Sequence, residues 1–267
     1  MTETPDFSEL LAAAGRSDHP AVIRIASQIL ADRPGDDAAH ELRARALRAL
    51  GRLTEAEADA QAAVRLDPDE VRYRELLAQV LSEAGAHREA ADEYARLARM
   101  DPKQREWVRS EAVERLAAAD VDAAVTAARA ALRLDPTDAV AQLTLTRGLL
   151  RAGQAQPALE AAERAIALAP DDPQAREAQA DARWLAGDEA GALAAYAALA
   201  REGDGAVRDE AVDKARRLYR SRAGLLGRLL AAARPLFAVA LRAGRLRLPT
   251  SAAATGGNAT SPPGPQA

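Results

Sequence analysis

A proline recurs along this chain at a fixed interval. Pro68, Pro102, Pro136 and Pro170 are each 34 residues apart, and Asp precedes the first three of them. A constant period of this length is typical of a unit of two short helices, which cannot bury its apolar faces alone and must stack on copies of itself. The sequence therefore predicts a repeat array, whose length depends on the number of units.

The composition favours helices throughout the chain. Hydrophobic residues make up 48% of it but aromatic residues only 3%, so the apolar residues are mostly Ala and Leu, which favour helices over strands. The chain has no Cys, which excludes disulfides, Cys-based zinc sites and thiol catalysis. We therefore expect an all-α protein with closely packed helices.

The repeats can be aligned by placing each proline at position 32 of its unit. Five units then begin at Asp37, Val71, Arg105, Ala139 and Pro173. Glycine occupies position 15 in four of them, at Gly51, Gly85, Gly153 and Gly187. A tight turn after the first helix favours glycine, because glycine adopts a left-handed backbone without steric cost. Only Ala119, in the third unit, breaks this pattern.

Small residues recur at two further positions, where two helices approach too closely for a large side chain. Position 20 holds Ala56, Ala90, Ala124, Ala158 and Ala192, and position 8 holds Ala44, Ala78, Ala112, Thr146 and Ala180. With the proline at position 32, this set resembles the tetratricopeptide repeat (TPR) family, a helix-turn-helix repeat of 34 residues. The resemblance covers about Glu3 to Glu202 and implies a right-handed α-solenoid. The chain departs from the family's bulky position 4, which holds His40, Arg74, Val108, Gln142 and Arg176.

The repeat boundaries and the composition divide the chain into four regions. We expect a degenerate N-terminal TPR-like unit over residues 1–36 and five TPR units over 37–70, 71–104, 105–138, 139–172 and 173–204. Residues 205–248 are expected to form a basic amphipathic helical cap or docking segment. Residues 249–267 are uncharged and rich in Ala, Gly, Thr and Pro, so we expect a disordered tail with little apolar surface to bury.

No sequence motif points to catalysis. The chain lacks the GxxxxGK[ST], GxSxG and HExxH patterns of phosphate-binding loops, serine hydrolases and zinc proteases. Its three histidines, His19, His40 and His87, lie in different units without the short spacing of metal ligands. We therefore expect no enzymatic activity, no cofactor and no metal site.

The resemblance implies that the first helix of each unit lines a concave groove through positions 2, 5, 9, 12 and 13. These positions are mostly polar in the first two units, and they become partly apolar with several arginines in the later ones. Such a groove suits an amphipathic helix or an extended peptide that carries acidic residues. The candidate peptide-binding residues are Arg109, Val113, Leu143, Arg147, Leu150, Arg151 and Trp184. For Trp184 two roles stay open, a groove anchor or a side chain packed under the turn at Gly187.

Charge is distributed unevenly along the chain. Residues 206–250 contain eleven basic and three acidic residues, a net charge of +8, whereas the whole chain carries −4, so the remainder carries −12. Within this segment, helical spacing places arginines and leucines on opposite sides, although Pro235 divides the helix. The candidate membrane-docking or partner-docking residues are Leu225, Arg228, Leu229, Arg234, Leu236, Phe237 and Arg242.

Three interpretations of the basic segment stay open. It can cap the apolar end of the last unit, as solenoids require. It can lie on an anionic membrane surface, because interfacial helices place Arg on one face and Leu or Phe on the other. It can also dock to a partner, to a second copy or to the chain's own groove. Binding of nucleic acid is disfavoured, because aromatic residues do not alternate with the arginines and the array is acidic.

These observations together predict a non-catalytic scaffold or adaptor that binds a protein or peptide, with homo-oligomers left open. The alternative is a peripheral membrane protein that docks through the basic segment. The first residues lack a basic stretch followed by an apolar run, and no segment reaches the roughly 20 uncharged apolar residues of a spanning helix. We expect a cytoplasmic location, with association at the cytoplasmic membrane face as the alternative.

Overall fold

The computed structural model describes residues 7–202 and 205–218, and these residues form helices joined by short turns, without a strand. The helices are α1 (Phe7–Gly15), α2 (His19–Asp32), α3 (Asp37–Ala49), α4 (Leu53–Leu66), α5 (Val71–Glu83), α6 (His87–Met100), α7 (Arg105–Ala117), α8 (Val121–Leu134), α9 (Ala139–Arg151), α10 (Ala155–Leu168), α11 (Pro173–Leu185) and α12 (Glu189–Glu202). A further helix, α13, covers the described residues 205–218.

Packing between helices follows their order in the chain. Each helix from α1 to α11 packs against the one that follows it. The odd-numbered helices also lie side by side, α3 against α5, α7 against α9 and α9 against α11. This is the packing of an α-solenoid made of helix-turn-helix units, and it confirms the predicted fold class.

The ends of the helices follow from the repeated polar residues and prolines. At the starts of α3, α9 and α11, the side chains of Asp36, Asp138 and Asp172 accept hydrogen bonds from backbone N–H groups of the first turn, which satisfies donors that lack a partner within the helix. At the other end, a proline cannot supply the N–H that would extend a helix. The second helices accordingly end two residues before each repeated proline, at Leu66, Met100, Leu134 and Leu168.

The turn within each unit has a left-handed backbone at position 15. The φ angle is 71° at Gly51, 78° at Gly85, 69° at Gly153 and 86° at Gly187. Ala119 adopts a φ of 60° at the same position. A left-handed backbone costs a residue with a Cβ atom roughly 1–2 kcal/mol, so the turn of the third unit is strained and the other four are not.

Small side chains lie where neighbouring helices meet. All ten residues at positions 8 and 20 have no exposed surface. Among them, Thr146 satisfies its hydroxyl by donating to the Gln142 carbonyl at 2.9 Å. The fine-grained core predicted from the Ala-rich composition is therefore confirmed at the positions where the helices approach each other.

Three polar residues at position 4 each connect the end of the preceding unit to the second helix of their own unit. His40 hydrogen-bonds the Pro34 carbonyl at 3.1 Å and the Asp59 carboxylate at 2.9 Å. Arg74 and Arg176 repeat this arrangement. They donate to the carbonyl of the proline six residues earlier, at 2.9 and 2.8 Å, and to a carboxylate on the second helix of their unit, at 2.7 and 2.8 Å. The departure from the family at position 4 therefore replaces an apolar contact with a polar one.

The first part of the predicted docking segment, 205–218, is helical, whereas residues 219–248 of that segment and the tail fall outside the part of the chain that the structure describes. This applies to the predicted tail over 249–267 and to every candidate docking residue. Those residues are Leu225, Arg228, Leu229, Arg234, Leu236, Phe237 and Arg242. None of the described helices combines the length and the apolar character that crossing a membrane requires.

Candidate functional site

Three neighbouring helices carry all seven candidate groove residues. Arg109 and Val113 lie on α7, Trp184 lies on α11, and the other four lie on α9. Because α9 packs against both α7 and α11, the fold brings the seven residues into one continuous stretch. We call the surface formed by positions 2, 5, 9, 12 and 13 of these three helices the C-terminal groove.

Exposure differs among the candidate residues. Val113 exposes 37% of its surface and Trp184 41%, whereas Leu143 exposes only 9% and is packed into the protein. Val140, one turn before Leu143 on α9, exposes 50%. Val140 therefore offers the apolar surface that the sequence pattern had assigned to its neighbour.

The three arginines of the C-terminal groove differ in their partners. Arg109 lies 3.5 Å from the Asp138 carboxylate, and Arg151 donates a hydrogen bond to the Leu116 carbonyl at the end of α7. Arg147 is half-buried and has no hydrogen bond or ion pair with any described residue. Of the three, Arg147 is therefore the one whose charge is not used within the described part of the chain.

Trp184 lies beside an open recess. The recess has a volume of about 520 Å³, and its walls are Leu150, Trp184 and Leu185, with Asp181 and Lys214 at the rim. Trp184 and Leu185 expose 41% and 43% of their surfaces. The exposure of Trp184 and its place in this wall favour the groove role over packing beneath the turn.

Lys214 of α13 contributes to the recess, although the sequence pattern did not single it out. Its ammonium group donates to Glu177 at 2.6 Å and to both carboxylate oxygens of Asp181 at 3.1 and 3.0 Å. Tyr196 also donates its hydroxyl hydrogen to Asp181. Two acidic groove positions of the last unit therefore share one lysine within the chain, which balances one of their two negative charges.

The same cluster shifts two pKa values. Burial of the Tyr196 hydroxyl and its hydrogen bond to Asp181 raise the pKa of Tyr196 far above its ordinary value. Burial by itself lowers the pKa of Lys214, but the hydrogen bonds to Glu177 and Asp181 act more strongly, so the pKa of Lys214 is also raised. Both shifts favour the protonated forms, which keeps this cluster intact at neutral pH.

A change of register explains why Lys214 was not expected in the groove. A strict period of 34 places Lys214 at the small, buried position that Ala180 occupies in the fifth unit. The structure buries Ala211 instead, with 2% of its surface exposed. Only two residues separate α12 from the described start of α13, whereas four separate α10 from α11. The buried small position in α13 therefore lies three residues earlier than a strict period of 34 places it, and Lys214 pairs with the acidic positions instead.

In the N-terminal units, the groove side chains of the first helices form polar contacts with one another, unlike the exposed apolar side chains of α9 and α11. Arg48 of α3 donates to Gln79 of α5 and lies 3.0 Å from Glu83. Ser82 of α5 donates to Glu114 of α7 at 2.6 Å. These contacts join neighbouring helices across the groove surface, so its polar groups are satisfied by one another.

Further pairs in this N-terminal stretch lie within one helix or between two units. Arg45 and Glu41 of α3 form an ion pair at 2.8 Å. The Tyr73 hydroxyl of α5 donates to Asp37 of α3 at 3.0 Å, and burial together with this hydrogen bond raises the pKa of Tyr73. We call the surface formed by the groove positions of α3 and α5 the N-terminal groove.

A metal centre does not form among the described residues. Across 7–202 and 205–218, no group of three or more His, Cys, Asp or Glu side chains is arranged to hold a metal ion. The groups that the structure does bring together in the C-terminal groove are apolar side chains, the arginine without a described partner (Arg147), and an acidic pair bridged by Lys214. This arrangement is suited to contact with another polypeptide.

Sequence comparison finds one family. The profile of the tetratricopeptide repeat matches residues 9–71, 42–105 and 143–207. These matches together include the whole of α2 to α6 and of α10 to α12. None of the curated proteins matches the chain.

Solved structures with the same fold share little sequence with this chain. A tetratricopeptide repeat protein from Parabacteroides merdae ATCC 43184 has a TM-score of 0.63 and 16% identity, over 79% of this chain and 86% of its own. YrrB, described as a TPR protein with an unusual peptide-binding site, has a TM-score of 0.56 and 16% identity, over 70% and 97%. MamA 41-end from Desulfovibrio magneticus RS-1 has a TM-score of 0.55 and 16% identity, over 69% and 96%. At this identity the similarity shows the fold alone.

Proposed function

The chain belongs to the tetratricopeptide repeat family, because the family profile matches more than half of its residues, and we propose that it is a non-catalytic scaffold that binds a peptide or helix in the C-terminal groove. Proteins built from this repeat are generally scaffolds for interactions between proteins, without catalytic activity. The fold therefore supports the general role, and the groove residues support the assignment to α7, α9 and α11.

One observation carries the proposal, the different use of side chains in the two grooves. In the N-terminal groove, polar side chains connect α3 to α5 and α5 to α7. Among the described residues, no side-chain hydrogen bond or ion pair joins α9 to α11, and Val140, Trp184 and Leu185 there expose 50%, 41% and 43%. Of these, Trp184 and Leu185 lie together in the last turn of α11 and line the same recess. Exposed apolar surface of this kind is typical of interaction sites, and Trp is enriched among the residues that dominate binding.

The charge of the C-terminal groove favours an acidic partner. Arg147 is half-buried without a partner among the described residues, while Glu177 and Asp181 are bridged by Lys214, which balances one of their two negative charges. A partly desolvated cation gains most from an opposite charge on the binding partner. We therefore propose that the bound segment carries at least one Asp or Glu.

Affinity capture followed by mass spectrometry tests this proposal. The full chain carrying Val140→Asp and Arg147→Glu should lose the partners that the unchanged chain captures, because the first substitution adds a charge to the apolar patch and the second reverses the charge of the free arginine. The matched control is Arg164→Glu, which changes an exposed arginine of α10. Circular dichroism verifies that each variant is folded. If the double variant captures the same partners, the groove assignment is wrong.

A second candidate function is docking on an anionic membrane. The observation that favours it is the net charge of +8 over residues 206–250, in which arginines and leucines lie on opposite sides of the expected helix. In this alternative the basic segment binds lipid at the cytoplasmic face and the array is displayed to the cytoplasm. Flotation with vesicles that contain phosphatidylserine tests it. If the full chain and a chain truncated after Arg222 both stay unbound, the membrane alternative is excluded.

A further inference from the structure

The recess beside Trp184 has apolar walls from two neighbouring units. Leu150 comes from α9, and Trp184 and Leu185 come from α11. Its volume of about 520 Å³ falls in the range of sites that enclose a ligand group, roughly 300–1,000 Å³. The recess is therefore large enough for one whole side chain of a bound segment, including an aromatic one.

The polar groups at the rim of the recess are already satisfied. The ammonium group of Lys214 makes three hydrogen bonds, to Glu177 and to both oxygens of Asp181, and an ammonium group has only three donors. Asp181 also accepts a hydrogen bond from Tyr196. Because an anionic ligand group would find the Lys214 donors in use and two carboxylates beside it, and because Leu150, Trp184 and Leu185 line the recess, the recess favours an apolar occupant.

A charge without a partner among the described residues lies one helical turn from Leu150 of the recess. Arg147 and Leu150 are three residues apart on α9, and side chains at this spacing are neighbours, with Cβ atoms roughly 5–6 Å apart. Arg147 is half-buried and has no partner among the described residues. An apolar recess and an unpaired cation therefore lie side by side.

We infer that this recess is an anchor pocket for one large apolar side chain (Leu, Met or Phe) of a partner segment, and that an Asp or Glu one helical turn away on that segment pairs with Arg147. The inference rests on the proposed function and deepens it, because it names the two side chains by which a partner is recognised. The charge complementarity at Arg147 fixes the sign of the second group. The apolar lining by Leu150, Trp184 and Leu185 and the occupied donors of Lys214 favour an apolar group as the first.

Selection from a displayed library of random peptides tests the inference. The probe is the full chain, and enriched peptides are synthesised and measured by titration calorimetry. The expected result is a common pattern of Asp or Glu with Leu, Met or Phe three or four positions away. Arg147→Glu should weaken binding about tenfold or more, the size typical of a central interface residue. A synthetic peptide whose acidic residue is changed to Lys should recover affinity for this variant.

A second pair of variants isolates the anchor pocket. Leu185→Arg places a charged side chain in the wall of the recess and should weaken binding about tenfold or more. Leu134→Arg is the matched control, because Leu134 exposes 45% of its surface against 43% for Leu185 but lies at the end of α8, outside the groove. It should leave the affinity unchanged.

The outcomes distinguish the inference from the proposed function. If binding depends on Arg147 but not on Leu185, or if the enriched peptides lack the large apolar residue, the anchor pocket is wrong while groove binding stands. If the enriched peptides bind the Arg147→Glu and Leu185→Arg variants as tightly as the unchanged chain, they bind elsewhere, and both the anchor pocket and groove binding are wrong. If no peptide is enriched, the anchor pocket and groove binding are likewise both rejected.

Discussion

The N-terminal and C-terminal grooves are built on the same repeat positions but use their side chains in different ways. In the N-terminal groove, Arg48 connects α3 to α5 through Gln79. In the C-terminal groove, Val140 and Trp184 are exposed by 50% and 41%, and the described residues form no polar bridge from α9 to α11. The positions that determine the fold, 8, 15, 20 and 32, are separate from those that line the groove. The array can therefore keep one architecture while one part of the groove is closed by internal pairing and another is left open to a partner.

The largest expected effect tests whether buried polar contacts hold the N-terminal units together. Asp59 accepts hydrogen bonds from Arg43 at 2.7 Å, through two nitrogen atoms, and from His40 at 2.9 Å, and its side chain is only 7% exposed. Asp59→Ala leaves these groups without their carboxylate and should lower the free energy of unfolding by about 3–5 kcal/mol. Urea denaturation followed by circular dichroism measures the change. Glu160→Ala, which removes an exposed carboxylate of α10, should change it by less than about 0.5 kcal/mol.

The next prediction compares one arginine from each groove. Arg147→Glu should weaken binding of a captured partner by roughly tenfold or more, because it reverses a charge that has no partner among the described residues. Arg45→Glu reverses the charge at the same repeat position of the first unit, where Arg45 is already paired with Glu41, and should leave the affinity within about twofold. Surface plasmon resonance with the purified partner measures both. Equal losses for the two variants would mean that the grooves do not differ in function.

A smaller effect is expected at the turn of the third unit. Ala119 has a φ of 60° where the other units have glycine, so Ala119→Gly should relieve the left-handed strain and raise the free energy of unfolding by about 1 kcal/mol. Gly51→Ala should lower it by a similar amount, although a Cβ atom there meets nothing within 4 Å. Urea denaturation of the two variants checks both signs. Stabilisation by Gly51→Ala would refute the strain argument.

The smallest effect concerns alkaline pH. Burial and the hydrogen bond to Asp181 raise the pKa of Tyr196 above its ordinary value of 10.0, so the folded state holds this proton more tightly than the unfolded state. The stability that the protonated Tyr196 hydroxyl contributes is complete below pH 10.0 and is lost as the pH rises through the folded-state pKa of Tyr196. Burial also raises the pKa of Tyr94 in the N-terminal half, but Tyr94 lacks a carboxylate acceptor among its described hydrogen bonds.

Two variants separate these tyrosines. Between about pH 9 and pH 11, the urea midpoint of the unchanged chain should fall, and Tyr196→Phe should reduce this fall more than Tyr94→Phe does. Phe keeps the ring in the core and removes only the group that titrates. A larger reduction in Tyr94→Phe would mean that the cluster of Tyr196, Asp181 and Lys214 does not dominate the alkaline response.

The fold could be predicted from the sequence because its determinants repeat. Proline at position 32, glycine at position 15 and small residues at positions 8 and 20 each act within one unit, so five copies of a weak signal make a strong one. The structure confirms the buried small residues and the left-handed turns. It also explains position 4, where the sequence showed only a departure and the structure shows polar contacts to the preceding proline carbonyl and to the second helix.

The groove could be predicted only in outline, because its details depend on contacts between units. Leu143 occupies a groove position but is packed with 9% of its surface exposed, and the sequence pattern cannot distinguish it from exposed Val140. Lys214 escaped notice because α13 does not keep the period of 34, since Ala211 is buried where the period places Lys214, and only the structure shows this shift. Which arginine is free likewise depends on partners that are 30 or more residues away, such as Leu116 for Arg151.

Site-specific photo-cross-linking tests the central claim most directly, the claim that a partner binds in the C-terminal groove. A benzophenone amino acid is placed in turn at Val140 in this groove, at Arg45 in the N-terminal groove and at Leu134 at the end of α8. All three positions are exposed: Val140 by 50%, Leu134 by 45%, and Arg45 by more than half of its side chain. The account predicts that the partner cross-links through Val140 and not through the other two positions. Cross-linking through Arg45 or Leu134 in the absence of cross-linking through Val140 would contradict it.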